Sequence, residues 1–70
     1  MIGTVKSYDA RRGMGELAPE RGGADIPFYA SEVERAGLAG LGAGDRLSFA
    51  VQTDPMRRRS FAVGLVLLEG

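Results

Sequence analysis

The sequence predicts an all-β fold, a small five-stranded barrel with one short helical turn after the third strand. Three observations lead there. Short runs of strand-favouring residues are separated by clusters of Gly, Pro and Asp, which punctuate tight β-connections. The 70 residues are enough for one domain, spanning 1–70, and no internal repeat suggests a solenoid. Barrel closure also removes exposed sheet edges that so small a chain has little else to cover.

The first strand runs from Ile2 to Tyr8, with strand-favouring residues on both faces. Asp9-Ala10-Arg11-Arg12-Gly13 reads as a turn, and Met14 to Ala18 as the return strand. Pro19-Glu20-Arg21-Gly22-Gly23 is a second turn, because Pro fixes φ and paired glycines admit positive φ. A third strand spans Asp25 to Ala30, with Ile26, Phe28 and Ala30 on one face. Ser31 to Arg35 fits one helical turn, with Ser31 as N-cap and Glu34 completing a capping box. Gly37 to Gly44 reads as a mobile loop pinned to the core by Leu38 and Leu41.

From Arg46 to Thr53 the pattern alternates, placing Leu47, Phe49 and Val51 inward and Arg46, Ser48, Ala50 and Gln52 outward. Thr53 to Arg59 is the next connection and Ser60 to Leu68 the last strand. That strand is apolar on both faces, with Ala62, Val66 and Leu68 on one and Phe61, Val63, Leu65 and Leu67 on the other. Such a strand is either buried on both sides or part of a contact surface.

Composition narrows the chemistry. The chain has no His and no Cys, so disulfides, zinc sites and the commonest acid–base and nucleophilic side chains are absent. No metal or other cofactor is expected, and Glu16 with Tyr29 is the only pair worth naming for an enzyme, which the chain is expected not to be. Gly13-Met14-Gly15 precedes a strand and lacks a following Gly-Lys-Ser/Thr, so it is not a phosphate loop. Neither a signal-peptide pattern nor an apolar run of membrane-spanning length is visible, and a soluble cytoplasmic protein with no membrane partner is expected. Nine basic residues balance nine acidic ones. A nucleic-acid binder more often carries a basic surplus, because released counterions drive its affinity.

The turn residues also carry a family resemblance. Gly3-Thr4-Val5-Lys6, Gly13 and Gly15 in an Arg-Gly-x-Gly arrangement, Pro19, Gly22-Gly23, Asp25 and Ser31 follow one another in a known order. They resemble the cold-shock domain pattern G-T-V-K-W-F-N, K-G-F-G-F-I, P, G-G-x-D-V-F-V-H-x-S, with no insertion up to Ser31. Gly44-Asp45-Arg46-Leu47-Ser48-Phe49-Ala50-Val51 resembles the family's later G-Q-x-V-x-F-x-V strand. The resemblance implies a Greek-key, oligonucleotide-binding (OB) barrel that lays single-stranded RNA or DNA across aromatics on its first three strands.

Carried across by position, the family's stacking face is depleted. Its Trp is Ser7 and the adjacent Phe is Tyr8; the two Phe of the glycine motif are Met14 and Glu16; the third-strand Phe is Pro27 and its His is Tyr29. With Met14 a soft apolar substitute, the other three lost platforms at about 1–3 kcal/mol each weaken binding by roughly two to six orders of magnitude. The resemblance thus implies weak, salt-dependent binding of single-stranded RNA or DNA with low sequence specificity, and a role in transcription or translation regulation. The candidate site comprises Lys6, Arg11 and Arg12 for phosphates, with Tyr8, Met14 and Tyr29 for bases. Arg57-Arg58-Arg59 is a charge run in the last hairpin connection, open to phosphate, to an acidic partner or to solvent alone. The alternative is a protein-interaction module, homodimeric through the apolar stripe of the last strand, that has lost nucleic-acid binding.

Overall fold

Turn chemistry divides the chain into β1 (Ile2–Asp9), β2 (Met14–Pro19), β3 (Ile26–Tyr29), α1 (Ala30–Arg35), β4 (Arg46–Asp54) and β5 (Arg59–Leu68). The computed structural model describes residues 1–68. All strand pairs are antiparallel, in the order β3-β2-β1-β4-β5. The terminal strands β3 and β5 pack against each other, so the sheet curls into the expected five-stranded barrel. Its interior holds Val5, Leu17, Phe28, Val33, Leu47, Phe49, Ala62 and Leu65, with Leu38 and Leu41 packed against them. No described helix is long and apolar enough to cross a membrane.

Two bulges reset which residues face inward. In β1, Val5 pairs with Leu17 and Ser7 with Glu16, so two steps on β1 match one on β2 and Lys6 is the extra residue. Lys6 and Ser7 are therefore both exposed, and Tyr8 returns to the inner side. In β5, Ser48 pairs with Val66 but Ala50 with Val63, so β5 carries the extra residue, next to Gly64 at φ 60°. The expected stripe of Phe61, Val63, Leu65 and Leu67 is consequently not one face. Ala62 and Leu65 are buried, Phe61 and Val63 half-buried, and Leu67 exposed.

The helix also departs from expectation. It starts at Ala30, whose N–H donates to the Gly13 carbonyl (2.9 Å), instead of ending β3 there. The extended Tyr29 is the N-cap and makes no side-chain cap bond, so Ser31 lies inside the first turn and the capping box with Glu34 does not form. The other end is closed by a Schellman arrangement: Gly37 N–H donates to Glu34 O and Leu38 N–H to Val33 O, with Gly37 at φ 73°. Beyond the loop, Val5 N–H donates to Asp45 O (2.7 Å) and Gly44 N–H to Val5 O (2.9 Å), tying the loop's end to β1.

Leu47 and Phe49 are buried as the alternation predicts, but Val51 on the same row is 40% exposed. Its cross-strand partner Ala62 is fully buried, so within this row it is the β4 side that opens to solvent.

Candidate nucleic-acid interface

Cross-strand register assembles the outer face of β1, β2 and β3 into rows. Ser7, Glu16 and Pro27 form one row, and Asp9, Met14 and Tyr29 the next. Met14 is exposed and Tyr29 half-buried. Glu16 therefore lies across from Pro27 and not from Tyr29, which separates the one pair named for acid–base work. Pro27 sits on the terminal strand of the ladder, where its missing donor interrupts no second pairing.

Between these rows lies Tyr8-Gly15-Phe28, on the inner side. Gly15 has no side chain, so the rings from the flanking strands reach over it and stack, with centroids 5.5 Å apart and planes at 18°. A Cβ on Gly15 would lie 2.5 Å from the Phe28 ring and 2.6 Å from the Ser7 carbonyl oxygen. Of the two expected face tyrosines, only Tyr29 stands in an outward row. Tyr8 is half-buried against Phe28 and the core. The β1 bulge causes this difference, and a pattern of alternating residues does not announce it.

Lys6 points outward from the bulge and donates to Asp25 Oδ2 at 2.8 Å. This hydrogen bond, and then the carboxylate's charge, hold the Lys6 ammonium above the ordinary lysine pKa; slight desolvation opposes them and Glu16 adds a smaller push in the same direction. An anion approaching Lys6 would therefore compete with Asp25.

The β1–β2 turn presents Arg11 and Arg12. Asp9 Oδ1 accepts from the N–H groups of Arg11 (3.0 Å) and Arg12 (3.3 Å), Gly13 takes φ 70°, and both arginines are exposed. The β4–β5 turn repeats this construction. Asp54 Oδ1 accepts from Met56 N–H (2.9 Å) and Arg57 N–H (3.4 Å), and Arg58 takes the left-handed place at φ 52°. In each case four residues join a paired Asp to the next strand. Among the described residues the ion pairs are Lys6–Asp25, Arg35–Glu32 and Arg46–Glu20, so the arginines of both turns lack carboxylate partners.

Sequence reasoning did not select Phe61 as a site residue. Its ring meets Tyr29 edge to face, with centroids 6.1 Å apart and planes at 63°, across the β3–β5 seam. The neighbouring cleft is lined by Tyr29, Asp54, Arg57, Arg59 and Phe61. The signal available was an aromatic two residues after an arginine run, on a strand apolar on both faces. Among the described residues no group of His, Cys, Asp or Glu could hold a metal ion.

No family model matches the chain. Individual relatives do. A probable cold shock protein, y4cH, of Sinorhizobium fredii is 42% identical over 52 residues, covering 74% of this chain and 75% of that protein. Cold shock protein CspA of Rhizobium meliloti is 35% identical over 63 residues, covering 90% and 91%. The major cold shock protein of Micrococcus luteus is 37% identical over 54 residues, covering 77% and 81%. Similarity of this extent, on a barrel with these turns, shows that the chain belongs to the cold shock protein family.

Proposed function

We propose that this protein is a cytoplasmic, non-enzymatic binder of single-stranded RNA or DNA, weak and of low sequence specificity, acting in transcription or translation regulation. Family membership supports nucleic-acid binding in general. The observation that carries the reading to this surface is the outward row ending in Met14 and Tyr29, beside a turn whose arginines have no carboxylate partner among the described residues. Phosphates would meet Arg11, Arg12 and, after its release from Asp25, Lys6. Bases would stack on Tyr29 and Met14, with Tyr8 offering what its contact with Phe28 leaves exposed. Glu16 and Pro27 occupy places where rings would otherwise add about 1–3 kcal/mol each, which keeps the interaction weak.

The test is tyrosine fluorescence titrated with oligo-dT and oligo-rU at low and moderate salt. Saturable quenching at low salt that fades as salt rises is expected. No saturable signal at high micromolar protein in low salt would refute the reading.

A second reading, a homodimer through the last strand, is favoured by one observation. Val66 and Leu67 are 57% and 44% exposed on β5, a terminal strand of the hydrogen-bonded sheet. Light scattering across a concentration series tests it, and a strictly monomeric mass at high concentration refutes it.

A further inference from the structure

Resting on the single-strand-binding reading, we propose that the β3–β5 seam is a stacking subsite for one unpaired base, with Phe61 and Tyr29 as its rings and Arg57 and Arg59 as its phosphate contacts.

The seam brings together the parts such a subsite needs. Tyr29 and Phe61 come from strands that share no ladder, yet their rings meet edge to face at 6.1 Å. That contact holds each ring against rotation, so less freedom is lost when a base settles on it. Both rings are half-buried, which leaves ring surface for stacking. Arg57 and Arg59 line the same cleft, are exposed, and make no ion pair among the described residues. The cleft's one carboxylate, Asp54, is engaged by the N–H groups of its own turn. On the far side of Tyr29 lie Met14 and Gly13: Met14 is its cross-strand partner, and Gly13 O accepts from the adjacent Ala30 N–H. The Arg11–Arg12 turn therefore flanks Tyr29 on one side and the Arg57–Arg59 turn on the other.

This placement selects a single strand as the occupant. A strand drawn between two cationic turns has its backbone neutralised at both ends and an aromatic pair midway. An apolar segment of another protein would gain nothing from the arginines. The subsite also offsets part of the loss on the neighbouring row, where Ser7, Glu16 and Pro27 offer no ring.

The experiment is fluorescence anisotropy with a labelled oligo-dT and an abasic oligodeoxyribose phosphate of equal length. It compares wild type, Phe61→Leu, Phe61→Tyr, the pair Arg57→Gln/Arg59→Gln, and Lys6→Gln. Phe61→Leu should weaken oligo-dT binding about 5–150-fold while leaving the abasic strand unaffected, and Phe61→Tyr should retain wild-type affinity. The arginine pair lies outside the core, so its result does not depend on Phe61 packing. Its loss should lower the slope of log K against log salt by about 1.4. Far-UV circular dichroism at the assay temperature checks that each variant is folded.

If Phe61→Leu and the arginine pair bind as wild type while Lys6→Gln weakens binding, the subsite is refuted and the broader reading stands. If wild type binds neither strand, both are refuted. If Phe61→Leu shifts the sedimentation mass toward monomer without changing oligo-dT affinity, the seam seats a second copy and the proposal is overturned.

Discussion

Replacing Gly15 by Ala tests the central packing argument with the fewest assumptions. The added methyl would lie 2.5 and 2.8 Å from two atoms of the Phe28 ring and 2.6 Å from the Ser7 carbonyl oxygen. Neither neighbour can yield easily. Phe28 is fully buried and stacked on Tyr8, and the Ser7 carbonyl belongs to the strand paired with β2. Overpacking of this kind costs about 1–3 kcal/mol, while the lower chain entropy of unfolded Ala offsets about 0.4–1 kcal/mol. A chain of this size has about 4–10 kcal/mol of stability in total, so the net loss is a substantial part of it. Contacts this short to a buried ring and to backbone put the cost in the upper half of the overpacking range, at about 2–3 kcal/mol, so about 1–2.6 kcal/mol is lost net. Thermal denaturation followed by circular dichroism should therefore show Tm lowered by roughly 4–20 °C, at about 4–8 °C per kcal/mol. Gly40→Ala is the control, because its Cβ would meet nothing within 4 Å. It should be neutral or slightly stabilising. Adding Phe28→Leu to Gly15→Ala removes the ring-tip overlap but not the carbonyl contact. The double-mutant cycle should therefore show a favourable coupling of at least about 0.5 kcal/mol. If Gly15→Ala unfolds within about 0.5 kcal/mol of wild type, the account of two rings meeting over a bare backbone is wrong.

The remaining predictions concern charge, rings and turns. Asp25→Asn frees Lys6 and should steepen the salt dependence of oligo-dT binding by about 0.7 in log–log slope; an unchanged slope would show that Lys6 does not reach phosphate. Because the pair raises the Lys6 pKa, its contribution to stability is present at neutral pH and disappears as pH rises through that raised value. The stability difference between wild type and Asp25→Asn should accordingly stay constant from pH 7 to 9 and shrink above about pH 10, followed by urea denaturation. Glu16→Phe restores a ring on an exposed position and should tighten oligo-dT binding about 5–150-fold, with no loss of stability to confuse the readout. Arg58→Gly relieves a left-handed residue and should gain up to about 1 kcal/mol, whereas Gly13→Ala in the matching place of the other turn should lose about 1–2 kcal/mol, both measured by denaturant titration.

The parts of the fold legible from sequence were those written in local chemistry. Asp9 and Gly13, Pro19 with Gly22 and Gly23, and Gly44 mark bends because only certain residues tolerate them. The alternation at Leu47 and Phe49 marks the core because a strand has two faces. What escaped was a matter of pairing. Whether Lys6 is an extra residue depends on how β1 meets β2, and whether Ala62 and Leu65 share a face depends on the bulge opposite β4. Strict counting sends Tyr8 outward and groups Leu65 with Leu67 for this reason. Ser31 carried a plausible cap signal that lost to a tertiary bond, the one from Ala30 N–H to Gly13 O that starts the helix earlier. Phe61 became a candidate only when curling of the sheet brought β5 to β3, a closure no short window of sequence contains.

The two arginine turns have one further consequence. Each is held by an aspartate that hydrogen-bonds its own backbone and by one residue in the left-handed region, and the arginine side chains take no part in that support. Apart from Arg58, whose left-handed backbone ties its identity to stability, their number and sign can therefore vary while the turns keep their shape. Single base changes in a few codons could raise or lower the electrostatic pull of the barrel's rim in small steps, leaving its melting behaviour nearly untouched. Under the proposed function, the charge that serves binding and the groups that hold these turns are then largely separate and free to drift apart.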